Sequence, residues 1–235
     1  VFPFYNESLR ISKSFQDRNK LKERNKSKKI EYIFVDDGST DDTSDKIIQF
    51  IKKNKKIKKK KYKLLKLKKN SGKGAALKKG VLKSKNLWIL TMDVDVSVSL
   101  TQLTFWSKNK LISNNKKIFF GSRAIENSKV HSKFYRLIMG FFFRLIIKLL
   151  FSIHLKDSQC GYKLYYNKTA KKIFSNLSEK GFIHDVEITL LAKKYKFAVE
   201  ELPVFWTHKD NGKINILFDS FKMFLSLIIL SFKAI

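Results

Sequence analysis

The chain has 235 residues and, with 50 Lys or Arg against 20 Asp or Glu, a formal net charge of +30 at pH 7. Its 43% of hydrophobic residues excludes a disordered chain, and its single cysteine excludes both an internal disulfide framework and a zinc site of four thiolates. The charge favours an anionic partner such as a membrane or a phosphorylated substrate. Because Lys, Asn, Ile and Phe are all plentiful, as in AT-rich coding sequences, we attribute much of the charge to drift and expect no dedicated nucleic-acid binding.

Strand and helix patterns alternate along the first half of the chain. Residues 30–35 (IEYIFV) form a short apolar, β-branched run and predict a buried strand. Residues 39–45 supply cap and first-turn residues for a helix. Further strands are predicted at residues 62–67, 87–92 and 117–122, and further helices from residue 74 through 81 and at residues 100–111. This alternation predicts an α/β domain with a mostly parallel central sheet.

The second half is more apolar. Residues 134–153 and 214–235 predict two helices, separated by a helix at 182–195 and a strand at 197–202. Arg136, Arg144 and Lys148 interrupt the first of these, and no uncharged apolar run reaches the length of about 18 residues that a membrane span needs. We therefore expect amphipathic helices in the membrane interface. The alternative for residues 134–153 is a buried helix whose cations reach out to solvent.

Neither a repeat nor a linker divides the chain, so we predict one domain over residues 1–235. The chain begins with Val rather than Met, and we expect that an N-terminal anchor is missing from it.

Asp93 and Asp95 follow the predicted strand at residues 87–92. Two carboxylates separated by one residue can share a hard cation such as Mg²⁺ or Mn²⁺ together with diphosphate oxygens. The alternative is a pair of solvated turn carboxylates. A second pair, Asp36 and Asp37, ends another predicted strand, and both pairs should therefore lie at the sheet edge where open α/β sheets bind ligands.

The Asp36/Asp37 pair could accept hydrogen bonds from a base or a ribose, as the acidic residue of dinucleotide-binding folds does. Residues 70–74 (NSGKG) precede a predicted helix and could offer N–H groups and Lys73 to a phosphate. Their spacing is neither that of a P-loop nor that of G-x-G-x-x-G, so neither an NTPase nor a dehydrogenase follows from it.

Four segments, at residues 2–7 (FPFYNE), 35–41 (VDDGSTD), 70–75 (NSGKGA) and 93–95 (DVD), together resemble family 2 glycosyltransferases, which have the GT-A fold. Residues 121–124 (GSRA), 157–163 (DSQCGYK), 184–187 (HDVE) and 201–207 (ELPVFWT) resemble the dolichyl-phosphate β-glucosyltransferases in that family. The resemblance covers nearly the whole chain in order. The chain departs from the family at Val94 and Val96, which are bulkier than the usual neighbours of the metal pair, and at residues 181–184, where an aromatic-rich approach is usual.

The resemblance implies inverting, metal-dependent transfer of glucose from UDP-glucose to dolichyl phosphate at the endoplasmic reticulum membrane, with the active site facing the cytosol. It implies Mg²⁺ or Mn²⁺ as cofactor and the membrane surface as a partner. The nucleotide-sugar half would span about residues 1–125 and the acceptor- and membrane-facing half about residues 126–235. The alternatives are a mannosyltransferase that uses GDP-mannose and a polyprenyl or dolichyl phosphate, and a non-catalytic basic protein that binds polyanions.

The same resemblance implies roles for individual residues. The residues that it implies for nucleotide-sugar binding are Pro3, Tyr5, Asn6, Glu7, Asp36, Asp37, Ser39, Lys73 and Asp93. It implies metal binding by Asp93 and Asp95, and catalytic roles for Asp95, Asp185 and Glu187. The acceptor phosphate would be bound by Arg123 and Arg136. The alternatives are a charge pair at a helix N-terminus for Asp185 and Glu187, and surface salt bridges for the two arginines.

Overall fold

The computed structural model describes residues 1–12, 14–17, 30–54, 60–113, 118–131, 134–208 and 216–234. Its strands are β1 (Phe2–Phe4), β2 (Ile30–Asp36), β3 (Lys60–Lys66), β4 (Trp88–Thr91), β5 (Ile118–Ser122), β6 (Lys129–His131), β7 (Lys163–Tyr166), β8 (Val199–Pro203) and β9 (Phe205–Thr207). Its helices are α1 (Thr43–Asn54), α2 (Lys73–Lys83), α3 (Thr101–Lys108), α4 (Phe134–Phe151), α5 (Asn167–Asn176), α6 (His184–Lys194) and α7 (Ile216–Ala234).

Parallel pairs dominate the sheets. Strands β1, β2 and β3 pair in parallel, and the backbone of Val1 joins them to β4, since its N–H group donates to the Leu90 carbonyl at 2.7 Å. On the other side the order is β4-β7-β5-β8, where β5 and β8 are parallel but β7 runs antiparallel to both of its neighbours. The predicted mostly parallel sheet is therefore confirmed, with β7 as an insertion that the sequence analysis missed.

The sheet has a core on each face because successive side chains of a strand point to opposite sides. Phe34 and Phe119 belong to one cluster, which α1 and α3 cover with residues such as Phe50 and Trp106. The intervening residues of the same strands, among them Val35, enter a second cluster beneath α2, α5 and α6. Both faces are thus covered by helices, as the near-continuous apolar strands require.

The two apolar helices of the second half form where they were predicted, as α4 and α7. Both pack on the start of α6 through a third cluster: Ile147, Phe151, Ile153, Ile183, Val186, Leu227 and Leu230. Within the described ranges, neither these helices nor any other is long and apolar enough to cross a membrane. Residues 214, 215 and 235 of the second predicted helix lie outside the described residues.

Candidate functional site

The Asp93 carboxylate follows β4 directly and meets Lys73, the first residue of α2. Lys73 Nζ lies 2.6 Å from Asp93 Oδ1. Burial alone would lower the pKa of Lys73, but the carboxylates of Asp93, Asp185 and Asp95 raise it above its usual value. Burial alone would raise the pKa of Asp93, but the positive charge of Lys73 holds it below its usual value. Both groups are therefore ionised, and the three carboxylates and Lys73 form one charged cluster at the sheet edge.

The turn after Asp93 is backbone-strained. Val96 has a φ of 57°, a left-handed conformation that is costly for a β-branched residue. Asp95, one residue earlier, accepts hydrogen bonds from the N–H and Oγ of Ser97, each at 2.9 Å. The turn therefore gives Asp93 and Asp95 different partners, Lys73 and Ser97.

A buried ion pair adjoins this turn. Lys163, the first residue of β7, donates from Nζ to Asp185 Oδ1 at 2.5 Å and to the Cys160 carbonyl at 2.7 Å. The same ammonium lies 4.7 Å from the centre of the Phe120 ring. Only 1% of the Lys163 side chain and 6% of the Asp185 side chain are exposed. The sequence analysis missed Lys163 as a site residue, although it closes the segment at 157–163 that carries the family resemblance.

His184 completes this part of the site. Its Nδ1 lies 2.7 Å from the Gly181 carbonyl, and its Nε2 lies 3.5 Å from Asp185 Oδ1. Burial lowers the pKa of His184 below its usual value, against the opposing effect of Asp185. The ring is therefore neutral near pH 7 and adds no charge to the cluster.

Glu187 holds a loop in place, and the catalytic role predicted for it stays a prediction. Its carboxylate accepts hydrogen bonds from the Ser178 N–H at 3.0 Å, from Ser178 Oγ at 2.8 Å and from the Glu179 N–H at 2.6 Å. A carboxylate that accepts hydrogen bonds from three donors of its own chain stabilises the loop that carries those donors. Asp185 and Glu187 both lie in the first turn of α6, but residues two apart on a helix do not face the same way, so the two carboxylates have different partners.

The N–H groups of Ser71, Gly72 and Gly74 in the glycine-rich loop donate to other parts of the chain, and their contact with a phosphate stays a prediction. The N–H groups of Ser71 and Gly72 donate to the Asp37 carboxylate at 2.9 and 2.8 Å. The N–H groups of Gly74 and Ala75 donate to the carbonyl of Lys180, at 2.7 and 3.3 Å. A Cβ on Gly74 would lie 2.8 Å from His184 Cβ, so the glycine permits the close approach of the starts of α2 and α6. The phosphate contact predicted for Lys73 also stays a prediction, since its Nζ pairs with Asp93.

The predicted donor-binding residues of the first strand and its loop are joined to the loop after β2. Asn6 donates its N–H to Ser39 Oγ at 2.9 Å, and its Oδ1 accepts from the Thr40 N–H at 2.8 Å. Glu7 donates its N–H to Thr43 Oγ1 at 2.7 Å, and its carboxylate pairs with Arg10. Pro3 lies in β1 and Tyr5 is exposed just after it. These hydrogen bonds join the chain after β1 to the loop after β2 and to the start of α1, and the contact of these residues with a nucleotide sugar stays a prediction.

Asp36 and Asp37 are both buried at the end of β2. Asp36 accepts hydrogen bonds from the Ser39 N–H at 2.9 Å and from the Ser44 hydroxyl. Burial and the neighbouring Asp36 raise the pKa of Asp37, although the loop N–H groups that it accepts oppose this. The pair therefore organises the loops on both sides, and its contact with a nucleoside stays a prediction.

Arg123 forms a two-pronged ion pair, as the salt-bridge alternative allowed, but its partner Asp157 is buried rather than at the surface. Its Nε lies 2.7 Å from Asp157 Oδ2 and its Nη2 lies 3.0 Å from Oδ1. The guanidinium lies 5.7 Å from the centre of the Trp206 ring, and 28% of the side chain is exposed. Asp157 is fully buried, and Arg123 lowers its pKa against the effect of burial. Arg136 lies in α4, but its side chain is outside the described residues, so its acceptor role stays a prediction.

The donor set at the turn fits a hard divalent cation. Asp93 and Asp95 offer carboxylate oxygens that are both partly exposed, and Gly161 leaves room for Asp93, since a Cβ there would lie 2.6 Å from Asp93 Cγ. No group of three His, Cys, Asp or Glu side chains within the described ranges could hold a metal. Mg²⁺ is usually bound by one or two carboxylates, with substrate phosphates and water as its other ligands, so two carboxylates suffice.

A sequence model of glycosyl transferase family 2 matches residues 1–174. The chain belongs to glycosyl transferase family 2. A dolichyl-phosphate beta-glucosyltransferase of Dictyostelium discoideum is 31% identical over 242 residues, which cover 99% of this chain and 73% of that protein. Proteins of the same name from Saccharomyces cerevisiae and Homo sapiens are 29% and 30% identical, over 98% and 91% of this chain and 72% and 68% of their own length. The resemblance stated from the motifs is confirmed, and the chain is a glycosyltransferase.

Solved structures share the fold of this family 2 glycosyltransferase. Glucosyl-3-phosphoglycerate synthase of Mycobacterium tuberculosis, in complex with Mn²⁺ and UDP-glucose, superposes with a TM-score of 0.68 at 13% identity, over 98% of this chain and 77% of that one. Its complex with phosphoglyceric acid superposes with a TM-score of 0.71 at 13% identity, over 100% and 78%. The predicted GT-A fold is confirmed.

Proposed function

We propose that this family 2 glycosyltransferase transfers glucose from UDP-glucose to dolichyl phosphate, with inversion at the transferred carbon and with Mg²⁺ or Mn²⁺ as cofactor. The observation that carries the proposal is the likeness, over 99% of the chain, to a relative named dolichyl-phosphate beta-glucosyltransferase. The charged cluster around Asp93 supports it, because it lies at the edge where α/β sheets bind nucleotides. The complex of a structural neighbour with Mn²⁺ and UDP-glucose supports the choice of donor and metal.

Each part of the cluster has a task in this reaction. Asp93 and Asp95 would hold the divalent ion, which would neutralise the charge that develops on the leaving diphosphate. Lys73 adds a positive charge on the same side. A phosphate monoester is largely dianionic at neutral pH, so the acceptor needs little help from a general base. Asp185, fixed by Lys163, would therefore orient the sugar or the acceptor rather than carry the main proton transfer.

Arg123 is suited to orient the acceptor phosphate. Its ion pair with Asp157 and its position over Trp206 fix the guanidinium plane before any ligand arrives. A fixed guanidinium gives direction as well as charge to a phosphate. Asp157 takes up part of that charge, so Arg123 would contribute orientation more than net attraction.

The outer face of α4 and α7 would dock on the membrane that contains the acceptor. These helices expose large apolar side chains: Phe141, Phe142, Leu145, Leu149, Leu150, Phe224, Leu225, Ile229 and Phe232. Arg144 and Lys148 lie on α4 among them, which favours an anionic lipid surface. The opposite face packs on Ile183 and Val186, the neighbours of Asp185 and His184. Docking would therefore bring lipid close to the site.

We propose the cytosolic face of the endoplasmic reticulum as the location, because nucleotide sugars are cytosolic and the acceptor is a membrane lipid. This placement extends the proposed reaction and depends on it.

A donor panel tests the reaction. Purified protein is incubated with dolichyl phosphate and radiolabelled UDP-glucose, UDP-galactose or GDP-mannose, and lipid-linked sugar is counted. We expect transfer from UDP-glucose, its loss in EDTA, its recovery with Mg²⁺ or Mn²⁺, and a fall of at least about 100-fold in Asp93→Asn. Preferred transfer from GDP-mannose would replace glucose by mannose, and full activity in EDTA would end the metal assignment.

Flotation with vesicles tests the membrane surface. The wild type should float with vesicles that contain anionic lipid, and Leu149→Ser together with Phe232→Ser should weaken this binding, because these side chains are 75% and 77% exposed. Leu9→Ser is the matched control, since Leu9 is 93% exposed on a different part of the molecule. Equal losses in the control and the double variant would contradict the docking face.

A further inference from the structure

The proposed metal site and the ion pair of Lys73 use the same oxygen atom, Oδ1 of Asp93. Asp93 Oδ1, an oxygen that a divalent ion would use, already accepts the ammonium of Lys73 at 2.6 Å. A Cβ on Gly161 would lie within 2.6 Å of both oxygens of this carboxylate, so the Gly161 backbone covers one of its faces. An ion that uses Oδ1 must therefore share this oxygen with Lys73, although 38% of the Asp93 side chain is exposed.

Simultaneous binding of an ammonium and a divalent ion to this oxygen is energetically unfavourable. Mg²⁺ binds carboxylate oxygens at about 2.0–2.1 Å and requires near-octahedral geometry. An ammonium hydrogen-bonded to the same oxygen would place a like charge within a few ångströms of the ion, in a cluster that is only partly solvated. Metal binding at Asp93 therefore competes with the ion pair.

Lys73 can leave Asp93 without a change in the backbone. The start of α2 is fastened by the hydrogen bonds of Gly74 to the Lys180 carbonyl and of Gly72 to Asp37. The Lys73 side chain, by contrast, is long and 23% exposed. A rotation of this side chain is enough to clear the oxygen, provided that the ammonium finds another anion.

We infer that Lys73 makes metal binding at Asp93 depend on the donor nucleotide: its ammonium holds Asp93 in the free enzyme, and the donor diphosphate draws it away so that the divalent ion can bind. This inference rests on the proposed function, since it takes Asp93 as a metal ligand and a nucleoside diphosphate as the donor. It gives Lys73 a second task, that of keeping the ion out until its diphosphate ligand is present.

Binding of Mn²⁺, followed by the electron paramagnetic resonance of the free ion, tests the inference without any turnover. In the absence of nucleotide, Lys73→Met should bind Mn²⁺ about 10-fold or more tighter than the wild type, because the competing charge is gone. Addition of UDP should strengthen Mn²⁺ binding more in the wild type than in Lys73→Met. Lys83→Met, the same charge change on the exposed last turn of α2, should match the wild type.

The outcomes separate the two proposals. Asp93→Asn should abolish Mn²⁺ binding with and without UDP; if it does not, the metal site is misplaced, and both the metal assignment and the competition by Lys73 fail, while the proposed transfer of glucose is still tested by the donor panel. If Asp93→Asn abolishes binding while Lys73→Met binds free Mn²⁺ no better than the wild type, the metal site stands and the competition by Lys73 is refuted. An equal effect of UDP on the two proteins would refute it as well.

Discussion

The buried pair of Lys163 and Asp185 should cost several kcal/mol to break from either side. Replacing Lys163 by Met keeps the length of the side chain but leaves the Asp185 carboxylate and the Cys160 carbonyl without their ammonium partner. Both side chains are almost fully buried, so water cannot compensate. Removal of one partner of such a pair typically costs about 3–5 kcal/mol. We therefore expect Lys163→Met and Asp185→Asn each to lose stability on this scale.

The double variant decides whether the pair is the cause. With both charges gone, Lys163→Met/Asp185→Asn should lose clearly less than the sum of the single losses, since replacing a whole buried pair is often close to neutral. Urea denaturation gives the free energies of unfolding. Lys194→Met, on the exposed last turn of α6, should stay within about 0.5 kcal/mol of the wild type. Single losses below about 1 kcal/mol, or strictly additive ones, would refute the reasoning.

Three further predictions follow from the site. Gly161→Ala should displace the Asp93 carboxylate, so glycosyl transfer should fall while the melting temperature changes little. Unchanged activity would contradict the close packing of Gly161 against Asp93. Arg123→Lys keeps the charge but loses the two-pronged contact with Asp157, so transfer should fall about 10-fold while UDP affinity holds, unless Arg123 has no part in acceptor binding. Burial lowers the pKa of His184 below 6.5, so on acidification the unfolded chain takes up a proton at this residue before the folded chain does, and the free energy of unfolding should fall between pH 7 and 5. His184→Gln should reduce this dependence of stability on pH. An unchanged dependence would contradict the lowered pKa of His184.

The strand ends could be predicted from the sequence because apolar, β-branched runs stop abruptly at polar turns. This placed Asp36 and Asp93 at the correct edge of the sheet. Helix α5 left a usable signal that was missed, since Ala170, Ile173 and Phe174 lie three and four residues apart on one face of an otherwise polar segment.

The partners within the site could not be predicted in the same way. A lysine is rarely buried, so Lys163 at the start of β7 gave no strand signal. Its partner Asp185 is 22 residues away, and Asp157 is 34 residues from Arg123. Such pairings follow from the packing of distant elements rather than from local pattern. For the same reason, the sequence could not show that the carbonyl of Lys180 takes up the N–H groups at the start of α2.

The position of the antiparallel strand β7 in the chain affects when, during synthesis, the central sheet can be completed. Trp88 pairs with Tyr166 and Ile118 pairs with Tyr165, so within the described ranges β4 and β5 are joined through a strand that is synthesised after both. A fragment that ended near residue 125 would leave β4 with an open edge and unpaired backbone groups. Closing contacts between such distant segments also slows folding. We therefore expect that the smallest piece of this chain that can fold extends past Tyr166, and that the loops with Asp37 and Lys73 do not form an independent module.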